Sequence, residues 1–131
     1  MARILVIDDS ASALELVREI LTREGHEITT ADCGRRGEAA LASEGFDLVI
    51  TDVYMPEQDG FEVLRNVRRK HPGLQVIAMS SASGKYDMLT VAKALGAADT
   101  LRKPFNTTEL REAVDACLRR SAVPGPGVPG V

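Results

Sequence analysis

The chain has 131 residues, of which 44% are hydrophobic and 27% charged, a balance that suits one globular domain with a real core and excludes a disordered chain. Lys and Arg total 16 against 19 Asp and Glu, for a net charge of −3, so the basic footprint of direct nucleic-acid binding is missing. No apolar run approaches the roughly 18 residues of a membrane span, and the opening run Ile4–Ile7 is too short for a secretory signal; the expected location is the cytoplasm, with no membrane insertion.

The elements follow in order. Arg3–Ile7 is continuously apolar and predicts a strand buried on both faces. Leu14, Val17, Ile20 and Leu21 stripe a first helix, with Ser12 and Glu15 at capping-box spacing and Gly25 as its stop. Glu27–Ala31 alternates and holds Thr29 and Thr30, as an edge strand does. Gly37–Ser43 predicts a short alanine-rich helix ended by Gly45, and Phe46–Thr51 a third, continuous strand. Phe61, Leu64 and Val67 stripe a third helix closed by Pro72-Gly73, and Leu74–Met79 is the fourth strand. Met88, Val91, Ala92 and Leu95 stripe a fourth helix closed by Gly96, before a fifth strand at Asp99–Arg102. Leu110, Val114, Cys117 and Leu118 stripe the last helix, with Asn106 and Glu109 at N-cap and N3 spacing. The uncharged Ser121–Val131 holds three prolines and three glycines and reads as a disordered tail or linker remnant after a domain of residues 1–120.

Five βα units predict an α/β fold, a doubly wound parallel sheet of flavodoxin-like (βα)5 type with strand order 2-1-3-4-5. Functional residues of such sheets collect at the carboxyl ends of the strands. Those ends hold Asp8-Asp9, Asp52, Ser80-Ser81 and Arg102-Lys103-Pro104. Each has a plain alternative: Asp8 to Ser10 as a helix cap, Asp52 as the start of a turn toward Pro56, Ser80 as a polar strand end, Lys103 as a solvated charge. Their joint placement argues for chemistry. Two carboxylates about 5 Å apart repel by roughly 3 kcal/mol at an effective dielectric near 20, so three call for a cation, and hard oxygen ligands suit Mg²⁺. Lys103 adds a positive charge, and a carboxylate beside a phosphoryl-neutralising site fits aspartyl-phosphate chemistry. Cys33 and Cys117 form no CxxC or Cys/His cluster and read as reduced thiols in apolar niches, while His26 and His71 read as loop or element-end residues.

With these residues in place, the chain resembles the receiver domain of bacterial response regulators, the CheY-like superfamily, over about residues 2–120. The resemblance is carried by Val-Ile-Asp8-Asp9-Ser10, Asp52-Val-Tyr-Met55-Pro56-Glu-Gln-Asp59-Gly60, Met79-Ser80, Gly96-Ala97-Ala98-Asp99 and Lys103-Pro104-Phe105. It implies that Asp52 is the phosphoacceptor. It implies Mg²⁺ held directly by Asp9 and Asp52, by Asp8 largely through water, and by the backbone carbonyl of Tyr54. Ser80 would bond a phosphoryl oxygen, Lys103 would pair with the phosphoryl group, and the Lys103-Pro104 bond would be cis. The implied partners are a histidine kinase or histidine phosphotransfer protein and a downstream protein that the sequence does not name, with the signal read on the face of the fourth helix, fifth strand and fifth helix.

The chain departs from the family pattern at Thr100, where Tyr or Phe is usual, at Ser81, where Ala or Gly is common, and at Tyr54 and Ala82, neither of which is an obvious positioner of water. Without the usual ring, the run Ser80–Gly84 and the start of the fourth helix near Lys85 and Tyr86 are expected to carry the change. A phosphate sink or relay intermediate is the nearest alternative. An aspartyl-nucleophile phosphohydrolase is another, although Asp8-Asp9-Ser10-Ala11-Ser12 lacks the Asp-x-Asp-x-Thr pattern of dehalogenase-type phosphatases. A flavin-binding protein is disfavoured by an aromatic content of 4%, and a receiver acting without phosphorylation by the intact acidic site. The expected activity is regulatory, limited to self-directed phosphotransfer and dephosphorylation, and no output domain fits within the chain.

Overall fold

The computed structural model describes residues 1–53, 60–81 and 88–122. Strands and helices alternate as β1 (Arg3–Ile7), α1 (Ala11–Arg23), β2 (Glu27–Ala31), α2 (Gly34–Ser43), β3 (Leu48–Asp52), α3 (Gly60–Lys70), β4 (Gln75–Ser80), α4 (Met88–Ala94), β5 (Asp99–Arg102) and α5 (Thr107–Ala122). All four strand pairings are parallel, in the order β2-β1-β3-β4-β5. This is the expected doubly wound sheet.

The continuous apolar strands follow from burial on both faces, because alternate side chains enter different cores. Ile4, Val6, Leu48, Ile50, Ile77, Met79 and Leu101 pack with Val17 and Leu21 of α1 and Leu110 and Val114 of α5. Leu5, Ile7, Val49, Val76 and Ala78 pack with Leu41 of α2, Leu64 of α3 and Leu89 of α4. Fully burying one such side chain contributes about 1.5–3 kcal/mol, so the two cores hold the strand ends in register on a rigid frame.

Four local expectations change. The N-cap of α1 is Ser10, whose Oγ accepts the Ala13 N–H at 3.2 Å, and Ser12 sits in the first turn with its Oγ 3.1 Å from that of Ser10. Helix α2 starts at Gly34, three residues before Gly37. Gly37 lies inside the helix because a Cβ there would come within 2.3 Å of Ile7 Cδ1; its bare backbone lets α2 close on β1. On α4 the inward residues are Leu89 and Ala92, and Val91 is exposed, since it lies about 100° around the helix from Ala92. Helix α5 continues through Ser121 and Ala122 into the stretch read as a tail; the first helix breaker beyond it is Pro124.

Strand limits shift by one or two residues. Strand β3 begins at Leu48 because Asp47 is engaged across the sheet edge, accepting the Arg3 N–H at 2.8 Å and donating its own N–H to the Arg3 carbonyl. Asp52 and Ser80 are the last residues of their strands rather than the first beyond them. The reciprocal bonds of Asn106 and Glu109 form as expected and start α5. Gly25 adopts a φ of 91° where α1 stops. His26 accepts the Ala2 N–H in the turn before β2, and His71 directly follows α3. Both cysteines are free, Cys33 half-buried and Cys117 buried.

Candidate functional site

The site lies at the carboxyl edge of β1, β3, β4 and β5. Backbone pairing continues one residue past the strands there: the Asp8 N–H donates to the Ala31 carbonyl at 3.1 Å and the Lys103 N–H to the Ser80 carbonyl at 2.8 Å. Asp8 and Lys103 are thereby held as firmly as strand residues. Asp8 Oδ1 accepts the Ser10 N–H at 2.9 Å, turning the chain toward the α1 cap, while Oδ2 faces Lys103. The helix-cap reading of this segment is thus satisfied by Ser10 and leaves the aspartates for other work. The Lys103-Pro104 peptide bond is cis.

Lys103 Nζ donates to Asp8 Oδ2 at 2.5 Å and to Asp52 Oδ2 at 2.9 Å, joining residues from opposite ends of the chain. Asp8 is fully buried, Asp52 is 7% exposed and Asp9 lies at the surface. Carboxylate oxygens of all three aspartates lie within 4.8 Å of one another. Burial disfavours the charge on Lys103, but the hydrogen bonds to Asp8 and Asp52 and their negative charges outweigh it and hold its pKa above the usual 10.5. Lys103 is therefore a cation throughout the neutral range.

One ammonium group does not balance three carboxylates in so small a volume. Asp9 has no hydrogen-bond or ion-pair partner among the described residues. The donor set, all hard anionic oxygens at the edge of open space, fits a small divalent cation such as Mg²⁺. An open cleft of about 700 Å³ lies over the cluster, lined by Asp8, Asp9, Asp52 and Lys103, by the serines 10, 12 and 81, and by an apolar wall that includes Leu16 and Phe105.

The structure thus brings together Asp8, Asp9, Asp52 and Lys103 as the strand ends predicted. Ser80 is placed differently: it ends β4 fully buried, and the next residue, Ser81, is the one that lines the cleft. Thr100 is half-buried, opposite Ala78 in the register of β4 and β5, on the sheet face that carries α4. Tyr54, Met55, Pro56, Asp59, Ala82, Gly84, Lys85 and Tyr86 fall outside the described residues. Leu16, 49% exposed, is a cleft residue that the helical stripe passes over; an apolar side chain off the buried face of α1 was its signal. Among the described residues no helix is long and apolar enough to cross a membrane.

Comparison with known proteins gives one consistent result. The family model for the response regulator receiver domain matches residues 4–115. The transcriptional regulatory protein TcrA of Mycobacterium tuberculosis is 36% identical over 124 residues, 95% of this chain and 49% of TcrA. The alkaline phosphatase synthesis transcriptional regulatory protein PhoP of Bacillus subtilis is 32% identical over 124 residues, 95% of this chain and 51% of PhoP. The chain spans about half the length of these curated relatives. A response regulator receiver domain protein from Clostridium thermocellum matches with a TM-score of 0.85 at 32% identity, over 92% of this chain and 96% of that one. The response regulator TrrA from Thermotoga maritima, in complex with Mg²⁺ and BeF, matches with a TM-score of 0.79 at 37% identity, over 90% of this chain and all of the other.

Proposed function

Because the chain belongs to the response regulator receiver domain family of two-component systems, we propose that Asp52 accepts a phosphoryl group from a histidine kinase or histidine phosphotransfer protein. The observation that carries this reading is the bridging of Asp8 and Asp52 by Lys103 at the floor of an open cleft.

In the transfer, an Asp52 carboxylate oxygen forms a bond to phosphorus as the phosphorus–nitrogen bond to the donor's imidazole breaks. The electron pair of the broken bond stays on the ring nitrogen. Lys103, kept protonated, holds Asp52 in place and meets the negative charge of the incoming group. Asp8, in turn, holds Lys103. A Mg²⁺ ion held by Asp8, Asp9 and Asp52, with the Tyr54 carbonyl as a further ligand, would supply charge neutralisation for the carboxylates and phosphoryl oxygens. Ser80 then turns toward the modified Asp52, and the face of α4, β5 and α5 changes to bind a partner protein in the cytoplasm.

A second reading, the phosphate sink or relay intermediate, is favoured by one residue. Thr100 puts a small side chain on the α4 face where the family's ring stands, and a relay needs no ring to read. Amide exchange with and without beryllofluoride, in Mg²⁺, separates the two. A switch alters protection at Ser80–Ser81 and in the first turn of α4, with little change at Thr100. A sink confines the change to the cleft segments of β1, β3 and the Lys103 turn. Asp52→Asn should show neither response; an unchanged response in that variant would remove Asp52 from the acceptor role.

A further inference from the structure

Period-two alternation sorts the carboxyl edge into two faces. On β4, Ile77 and Met79 enter the core under α1 and α5, whereas Val76 and Ala78 enter the core under α2, α3 and α4. Continuing that alternation, Ser80 falls on the α4 face and Ser81 on the α1 face. The same count puts Asp52, in step with Leu48 and Ile50, on the α1 face. Lys103, in step with Leu101, and Asp8, in step with Ile4 and Val6, fall there too. Ser81 therefore shares its face with the reacting groups, and it lines their cleft and is exposed.

The cleft is short of hydrogen-bond donors. Ionised Asp8, Asp9 and Asp52 can only accept, and two of the three N–H donors of Lys103 are engaged with Asp8 and Asp52. Of the three cleft serines, Ser10 accepts the Ala13 N–H as the cap of α1 and shares one hydroxyl bond with Ser12. The Ser81 hydroxyl has no hydrogen-bond partner among the described residues. A phosphoryl group entering this cleft brings oxygens that need donors, and Ser81 is the cleft serine without a partner among the described residues, on the face of the reacting groups.

We infer that Ser81 is a further catalytic residue, its hydroxyl donating a hydrogen bond to a phosphoryl oxygen during transfer to Asp52. This rests on the acceptor reading of Asp52. It assigns the two neighbouring serines different work: Ser81 meets the phosphoryl group from within the cleft, and Ser80 links the site to the α4 face.

The test is the rate at which the full chain takes up a phosphoryl group from acetyl phosphate in Mg²⁺, for the parent and for Ser81→Ala, Ser81→Thr and Ser81→Val. Thr and Val have nearly the same shape and differ in the hydroxyl. Loss of a hydrogen bond to a charged group should slow Ser81→Ala and Ser81→Val about tenfold, with Ser81→Thr within about twofold of the parent. Equal melting temperatures would confirm intact folding, as expected for an exposed position. Ser81→Ala at or above the parent rate, or Thr and Val slowed alike, would overturn the inference while leaving Asp52 as acceptor. A parent protein that takes up no label at Asp52 would instead overturn the acceptor reading itself.

Discussion

The two ends of the sheet handle charge in opposite ways. At the amino end, Arg3 reaches Glu44 and Glu27 across the surface and lies over the Phe46 ring at 5.5 Å from its centre. Asp47 and His26 bind backbone N–H groups of β1 and the residue before it. These side chains remain in water or tie down a strand start. At the carboxyl end, Asp8, Asp52 and Lys103 are drawn out of water and set against one another, with Asp9 at the rim. Desolvated charge gives weak net stabilisation and a large penalty when one partner is lost. The carboxyl end therefore holds charge whose partners are costly to lose, and the amino end uses charge to close the fold.

The sharpest way to break this contrast is to remove the half-buried ammonium group of Lys103. Lys103→Met should cost about 3 kcal/mol in metal-free buffer, because Asp8 and Asp52 lose their shared partner. Mg²⁺ should restore more stability to this variant than it adds to the parent, as read by denaturant unfolding. A loss no larger than that of a surface pair would undo the contrast. A smaller effect of opposite sign is expected for Asp9→Asn. It removes repulsion and no ion pair formed among the described residues, so metal-free stability should rise modestly while most of the Mg²⁺-dependent rise in melting temperature disappears. At the amino end, Arg3→Met should change stability by about 1 kcal/mol or less and leave phosphoryl uptake at the parent rate.

Cysteine reactivity probes the frame between the ends. Burial raises the Cys117 thiol above its usual 9.0, outweighing the nearby Arg120, which lowers it. A thiol reagent at pH 8 should therefore modify the half-buried Cys33 first and reach Cys117 only on unfolding. Because the folded Cys117 pKa is the higher one, its contribution to stability is complete below 9.0 and declines as pH rises through the folded value. Cys117→Ala should weaken that alkaline decline, measured as melting temperature against pH.

Much of this was legible in the residue order. Continuous apolar runs mark the buried strands, and the runs at Arg3–Ile7, Glu27–Ala31 and Asp99–Arg102 coincide with β1, β2 and β5 to the residue. The converging Asp8, Asp9, Asp52 and Lys103 followed from strand ends alone, since a parallel sheet brings distant carboxyl termini together. What escaped depended on three-dimensional proximity. Gly37 looked like a helix start because the pressure against its missing Cβ comes from Ile7, thirty positions away. Ser10, one of the residues read as a cap beside Asp8 and Asp9, takes that role ahead of Ser12 because its Oγ reaches the Ala13 N–H. Ser80 and Ser81 differ by one residue and so by sheet face, which needs the exact strand limit. That limit lay one residue beyond the apolar run.

The most direct test is at Asp52. Incubating the chain with a small phosphodonor and Mg²⁺, then digesting and sequencing by mass spectrometry, locates the modified residue directly. A single acid-stable, base-labile phosphoryl group is expected on Asp52, absent from Asp52→Asn. Equal labelling of the Asn variant, or a phosphoryl group on another residue, would contradict it.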